Sequence, residues 1–177
     1  MANTPQLSYT NEDDKCYGAT GMAIGLVIFD GEDKLSAVSL DATADSIMEF
    51  VEDFYFAGNP NFSVKNAWNQ ILKNFNLHMA LAIANVMCRT MVLERSQVSA
   101  GMKRALRDVM VREGIEICSL DSDETERLFD KNYTYLYRIF NHQGVQSVAH
   151  DFADTLKRVR RMTRNDVIEH LRALASL

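Results

Sequence analysis

The run LHMALAIANVMCRTMVLE, residues Leu77 to Glu94, is the longest apolar stretch in the chain and decides how the rest is read. At 3.6 residues per turn its apolar side chains cover most of a helix circumference, the pattern of an element surrounded by other helices. His78, Asn85 and Arg89 interrupt it, and it falls short of the ~20 clean apolar residues of a membrane span. The sequence therefore predicts the centre of a helical bundle here.

Towards the N-terminus, Val64, Ala67, Trp68, Ile71, Leu72 and Phe75 repeat at helical spacing behind a capping Ser63, with Asn76 resetting the chain before the central helix. An earlier helix is expected from Asp41 or Thr43 to the stop at Gly58 to Pro60. Ile47, Phe50, Val51 and Phe54 form its dry stripe, and Asp45, Glu49, Glu52 and Asp53 its acidic face. Met22 to Phe29 is short and apolar, and Asp30 and Gly31 give a turn before Leu35 to Leu40. Together they predict a β-hairpin over 22–40 with Gly31 to Lys34 as its connection, Gly21 and Gly25 weakening the first strand. Ile115 to Cys118 offers a third strand. Residues 1–17 are polar, carry Glu12, Asp13 and Asp14, and read as a flexible acidic tail.

Towards the C-terminus, Val98, Ala105, Leu106, Val109 and Met110 line a helix ending at Gly114. Asp121 opens the next, with Asp123, Glu124 and Glu126 suited to the positive end of the helix dipole. Leu128, Phe129, Leu136, Ile139 and Phe140 are its dry side, and Tyr133 and Tyr137 share a face with Leu136 and Phe140. After a break at Asn141 to Gly144, Val145, Val148, Ala149, Phe152, Leu156 and Val159 make another stripe. Thr163 and Asp166 fit N-cap and N3 of a last helix holding Val167, Ile168, Leu171 and Leu174. The fold class expected is mostly α (α+β): one domain over 18–177, with a hairpin at 22–40 and a bundle of about six or seven helices over 43–177. A length of 177 residues with only 2 Pro suits one helical core.

Motifs that carry chemistry are missing. Gly18, Gly21 and Gly25 do not have phosphate-loop spacing, and no nucleophile elbow, His-Glu-x-x-His or paired Glu-x-x-His occurs. Cys16, Cys88 and Cys118 form no metal or disulfide pattern, and Cys88 reads as a buried thiol within the apolar run. Adjacent His150 and Asp151 would suit a divergent metal-dependent phosphohydrolase if His78 or His142 and Asp166 joined them. Helical phase instead turns His150 away from Phe152, onto a solvated face with Asp154, Lys157 and Arg161. No cofactor is expected.

Charge is unevenly spread: residues 1–62 hold eleven acids and two lysines, the remainder thirteen acids and seventeen bases. Lys157, Arg158, Arg160, Arg161 and Arg164 concentrate five cations in eight residues. The expected function is a non-catalytic protein-interaction or regulatory module in the cytoplasm, forming a homodimer or holding a protein partner, with no membrane contact. In it the acidic 45–53 face of one molecule meets the 157–164 segment of another. The alternative is nucleic-acid binding through that basic segment.

Overall fold

The computed structural model describes residues 8–51 and 64–176, and it is a mostly helical α+β fold with six α-helices and a three-stranded sheet. In chain order these are α1 (Glu12–Ile28), β1 (Leu35–Ser39), β2 (Met48–Phe50), α2 (Val64–Met87), α3 (Ala100–Cys118), α4 (Ser122–Phe140), α5 (Gln143–Val159), β3 (Arg161–Thr163) and α6 (Arg164–Leu171). A π-helical turn, Cys88–Leu93, extends α2. Short 3-10 turns occupy Glu32–Lys34, Ala44–Ser46 and Arg172–Ser176.

The central run behaves as its composition demands. Met79 to Met87 of α2 are all buried, as are Cys88, Met91 and Val92 in the π-helical turn. Trp68–Leu93 is long and apolar enough to cross a membrane, but 78% of its most apolar part is buried inside the bundle. α1 packs along α2 and also touches α5, while α4 bridges α2 and α3. Asn76 causes no break, because α2 continues from Val64 through it. Its amide oxygen accepts a hydrogen bond from Asn132 of α4 at 2.9 Å.

The first half of the expected hairpin is corrected. Met22 to Phe29 lies almost wholly within α1, whose buried side includes Ala19, Ala23, Ile24 and Leu26. The glycines that look like strand breakers permit close helix packing: a Cβ at Gly21 would sit 2.3 Å from the carbonyl oxygen of Ala84. The boundary expected at residue 17 also falls inside α1. Asn11 caps the helix through Asp14 N–H, and Glu12, Asp13 and Asp14 form its acidic first turn. Cys16 and Tyr17 are buried.

The real hairpin joins β1, which lies within the expected return strand, to β2, which occupies part of the helix expected over 43–54. Met48 is buried there in β2, Ile47 is buried just before it, and Asp45 lies in a 3-10 turn. Phe54, Glu52 and Asp53 lie outside the described residues. β3 completes an antiparallel sheet of order β2-β1-β3, with Val38 opposite both Met48 and Met162. These three side chains are buried, and α6 packs against β1. The third strand expected at Ile115 to Cys118 is instead the last turn of α3. Gly114 does not end that helix; Ser119 does, in a left-handed conformation. Gly114 is where α3 closes on Thr125 and Phe75, 2.8 and 3.0 Å from the place of a Cβ.

Later elements follow the sequence closely. Asp121 with Glu124, and Thr163 with Asp166, form reciprocal capping boxes at the starts of α4 and α6. Val145, Ala149, Phe152 and Leu156 are the buried stripe of α5, whereas Val159 at its end is 46% exposed. Tyr133 stacks between Phe129 and Tyr137, as the shared helical face implies.

Candidate functional site

The basic segment and the acidic first part of the chain are folded onto each other. Lys157 at the end of α5 meets Asp13 at 2.6 Å, and Arg160 meets Glu12 at 2.8 Å and Asp41 at 2.7 Å. Arg161 on β3 meets Glu49 on β2 at 2.6 Å. Both strands flank β1, which brings these side chains together on one side of the sheet. The expected opposition of two charge poles across molecules is therefore replaced by pairing within one chain for Arg161 and Glu49. Asp45, Arg158 and Arg164 are exposed, and no ion pair joins any of them to another described residue.

His150 is not on the outer face. Its Nδ1 lies 2.6 Å from the Tyr17 hydroxyl, and the two rings meet edge to face with centroids 5.6 Å apart. His150 lies away from Phe152 as helical spacing predicts, but α1 occupies the flank expected to be solvated. Asp151, one position on, is exposed. The other residues a metal would need are scattered: His78 lies 3.2 Å from Glu113, His142 caps α5, and Asp166 caps α6. Among the described residues no three His, Cys, Asp or Glu side chains form a metal-holding group.

The thiols are equally settled in packing. Burial pushes the Cys16 thiol up to about 11 and raises Cys88 further, and Cys16 donates to the carbonyl of Ala153 at 3.3 Å. Such groups are poor nucleophiles near neutral pH because little thiolate exists.

Two features escaped the sequence reading. One is a buried polar network where α1 meets the π-helical turn. Arg89 grips the Asp14 carboxylate with two nitrogens, and its Nη2 also donates to the carbonyl of Ser8 at 3.0 Å. The Asn85 amide donates to the Tyr9 hydroxyl at 2.8 Å, and the Arg89 guanidinium lies over the Tyr9 ring. The other is a cleft of about 580 Å³ beside the same turn. Its walls are Arg95 to Gln97, after the π-helical turn, and Asn141, Gln143, Gln146, Ser147 and His150 around the start of α5. A cluster of carboxamides separated by about fifty residues leaves no local motif.

No protein-family model, curated protein or solved structure matches this chain.

Proposed function

We propose that the chain is a non-catalytic protein-interaction module that pairs with a second copy of itself through the outer face of α3. What supports this is one stripe: Asp108, Val111, Arg112, Ile115 and Glu116 recur at helical spacing and line a groove of about 380 Å³ against Ser122 and Glu126 of α4. Ile115, within this stripe, is 46% exposed. Arg112 and Glu116 make no ion pair with a described residue, whereas Lys103 and Arg107 on the same helix are held by Asp130 and Glu126.

A two-fold axis at the level of Gly114 would set α3 antiparallel to its copy. Arg112 then faces Glu116 of the second copy, and the two Ile115 side chains pack beside the axis. Such a contact uses one self-complementary patch twice, as two-fold dimers do. Nucleic-acid binding through 157–164 has less support, because Lys157, Arg160 and Arg161 already hold acids of their own chain. Static light scattering at micromolar concentration tests the pairing. The wild type should be a dimer, Ile115→Asp and Arg112→Glu should each give monomer, and Arg112→Glu with Glu116→Arg should restore the dimer. A monomeric wild type, or a charge swap that fails to rescue, overturns it.

A further inference from the structure

We infer that the cleft between the Arg95 turn and the start of α5 binds a small carboxylic acid whose body carries hydroxyl or amide groups. This surface is separate from the α3 stripe and does not depend on self-association. Its lining contains no carboxylate, although acids outnumber bases by 24 to 19 in the chain. Arg95 makes no ion pair with a described acid, while Arg89, Lys157, Arg160 and Arg161 are all so engaged. This concavity of an acidic protein is thus free of acids and carries at its rim a guanidinium with no described ion-pair partner.

The second donor is His150. The Tyr17 hydroxyl lies 2.6 Å from Nδ1, and we assign the tautomer in which the phenol donates to that nitrogen. The other ring nitrogen, Nε2, then carries the imidazole hydrogen and is a donor on the cleft wall. A planar guanidinium with an N–H donor suits the two oxygens of a carboxylate. One uncommitted cation matches one negative charge better than the two of a phosphate. With no carboxylate in the lining, an ammonium group would find no countercharge, so hydroxy or N-acyl acids fit better than amino acids.

Other lining groups suit the ligand body. Gln97 accepts from the Tyr137 hydroxyl and so presents its amide hydrogens, while Gln146 donates to the carbonyl of Phe140 and so presents its oxygen. Buried Met91 and Val92 supply an apolar floor. The volume is within the range of small-molecule sites. Arg95 has φ +53°, a left-handed conformation that favours glycine, and follows Glu94, the C-cap of a π-helical turn of the kind often found at functional sites.

The test is titration of the isotope-labelled full chain with D-gluconate and with N-acetyl-L-glutamine, followed by amide and histidine-ring resonances. Saturable shifts are expected at Ser96, Gln97, Ser147 and His150, and none with uncharged sorbitol. Arg95→Gly relieves the left-handed backbone and keeps the fold, yet should weaken binding at least about tenfold through the lost charged hydrogen bonds. Inorganic phosphate acting at lower concentration than either acid overturns the carboxylate assignment. No saturable shift with either acid, or unchanged binding by Arg95→Gly, overturns the site.

Discussion

Asp14 in the first turn of α1 and Arg89 in the π-helical turn form a two-pronged ion pair, with Nη2 to Oδ2 at 2.7 Å, and both side chains are largely buried. Burial pushes the Asp14 carboxyl up, but hydrogen bonds from Arg89 and Thr10 outweigh it and hold the group below its ordinary value. A carboxyl depressed on folding stabilises the native state above the unfolded value of about 4, and that contribution disappears as pH falls through the folded one. Asp14→Asn should cost about 3 kcal/mol at neutral pH, since it removes the charge opposite a buried guanidinium. Its stability should also fall less steeply than the wild type's below pH of about 4. Urea unfolding across acid pH checks both, and equal stability at neutral pH would contradict the pair's role.

How far the sequence could be read follows from what each element uses to define itself. α4 and α6 announce themselves through capping boxes at Asp121 and Thr163, and α5 through the spacing of Val145, Ala149, Phe152 and Leu156. These are local signals. α1 depends on a distant one: Gly21 and Gly25 break a strand on paper, and only the presence of Ala84 shows that they allow a neighbouring helix to approach. β2 hides because Ile47, Phe50 and Val51 satisfy a helical stripe although Met48 to Phe50 form a short strand, and pairing with β1 decides between them. The charges of Arg161 and Glu49 are visible in the sequence, but their pairing within one chain is set by the sheet. The Arg95 cleft joins two segments that only the fold brings together.

The glycines of α1 and α3 make opposite predictions under the same substitution. At Gly21 an added methyl would meet the Ala84 carbonyl oxygen at 2.3 Å and the Cys88 Cβ at 2.6 Å, so two helix backbones must separate. Gly21→Ala should destabilise by about 3 kcal/mol, at the upper end of overpacking costs. At Gly101, in the first turn of α3, the nearest atom is Ser99 Oγ at 4.0 Å. Gly101→Ala should stabilise by about 0.4–1 kcal/mol, through lower entropy of the unfolded chain. Denaturant midpoints of the two variants would test the packing directly, and a neutral Gly21→Ala would show that α1 and α2 are not so close.

All three cysteines are free and buried, and burial raises the pKa of each thiol. At mildly alkaline pH the native protein should therefore resist alkylation, while the urea-unfolded chain should take up three labels. Protection should fail first at Cys118, which lies at the C-terminal end of α3, and last at Cys88, in the π-helical turn beside α1. Mass spectrometry of a timed labelling series reads the order. Rapid native labelling of Cys88 would be incompatible with its place in the core.

Reversal of Arg158, Arg160 and Arg161 to Glu separates a structural use of the basic segment from a ligand-binding one. In the wild type, Arg160 bridges Glu12 of α1 and Asp41 beyond β1, and Arg161 reaches Glu49 on β2, so these two side chains tie the sheet to the start of α1. Glutamate at positions 160 and 161 would set like charges against those three acids. Arg158, which is exposed and makes no described ion pair, adds charge change without a broken contact. The triple variant should have a lower melting temperature than the wild type, and the difference should shrink as salt screens the repulsion. A single Arg158→Glu should change little. Wild-type duplex binding near physiological salt should be negligible, because a polyanion would have to displace three carboxylates from cations they already neutralise. Salt-sensitive DNA or RNA binding that vanishes in the triple variant, with its melting temperature unchanged, would instead make the segment a nucleic-acid surface.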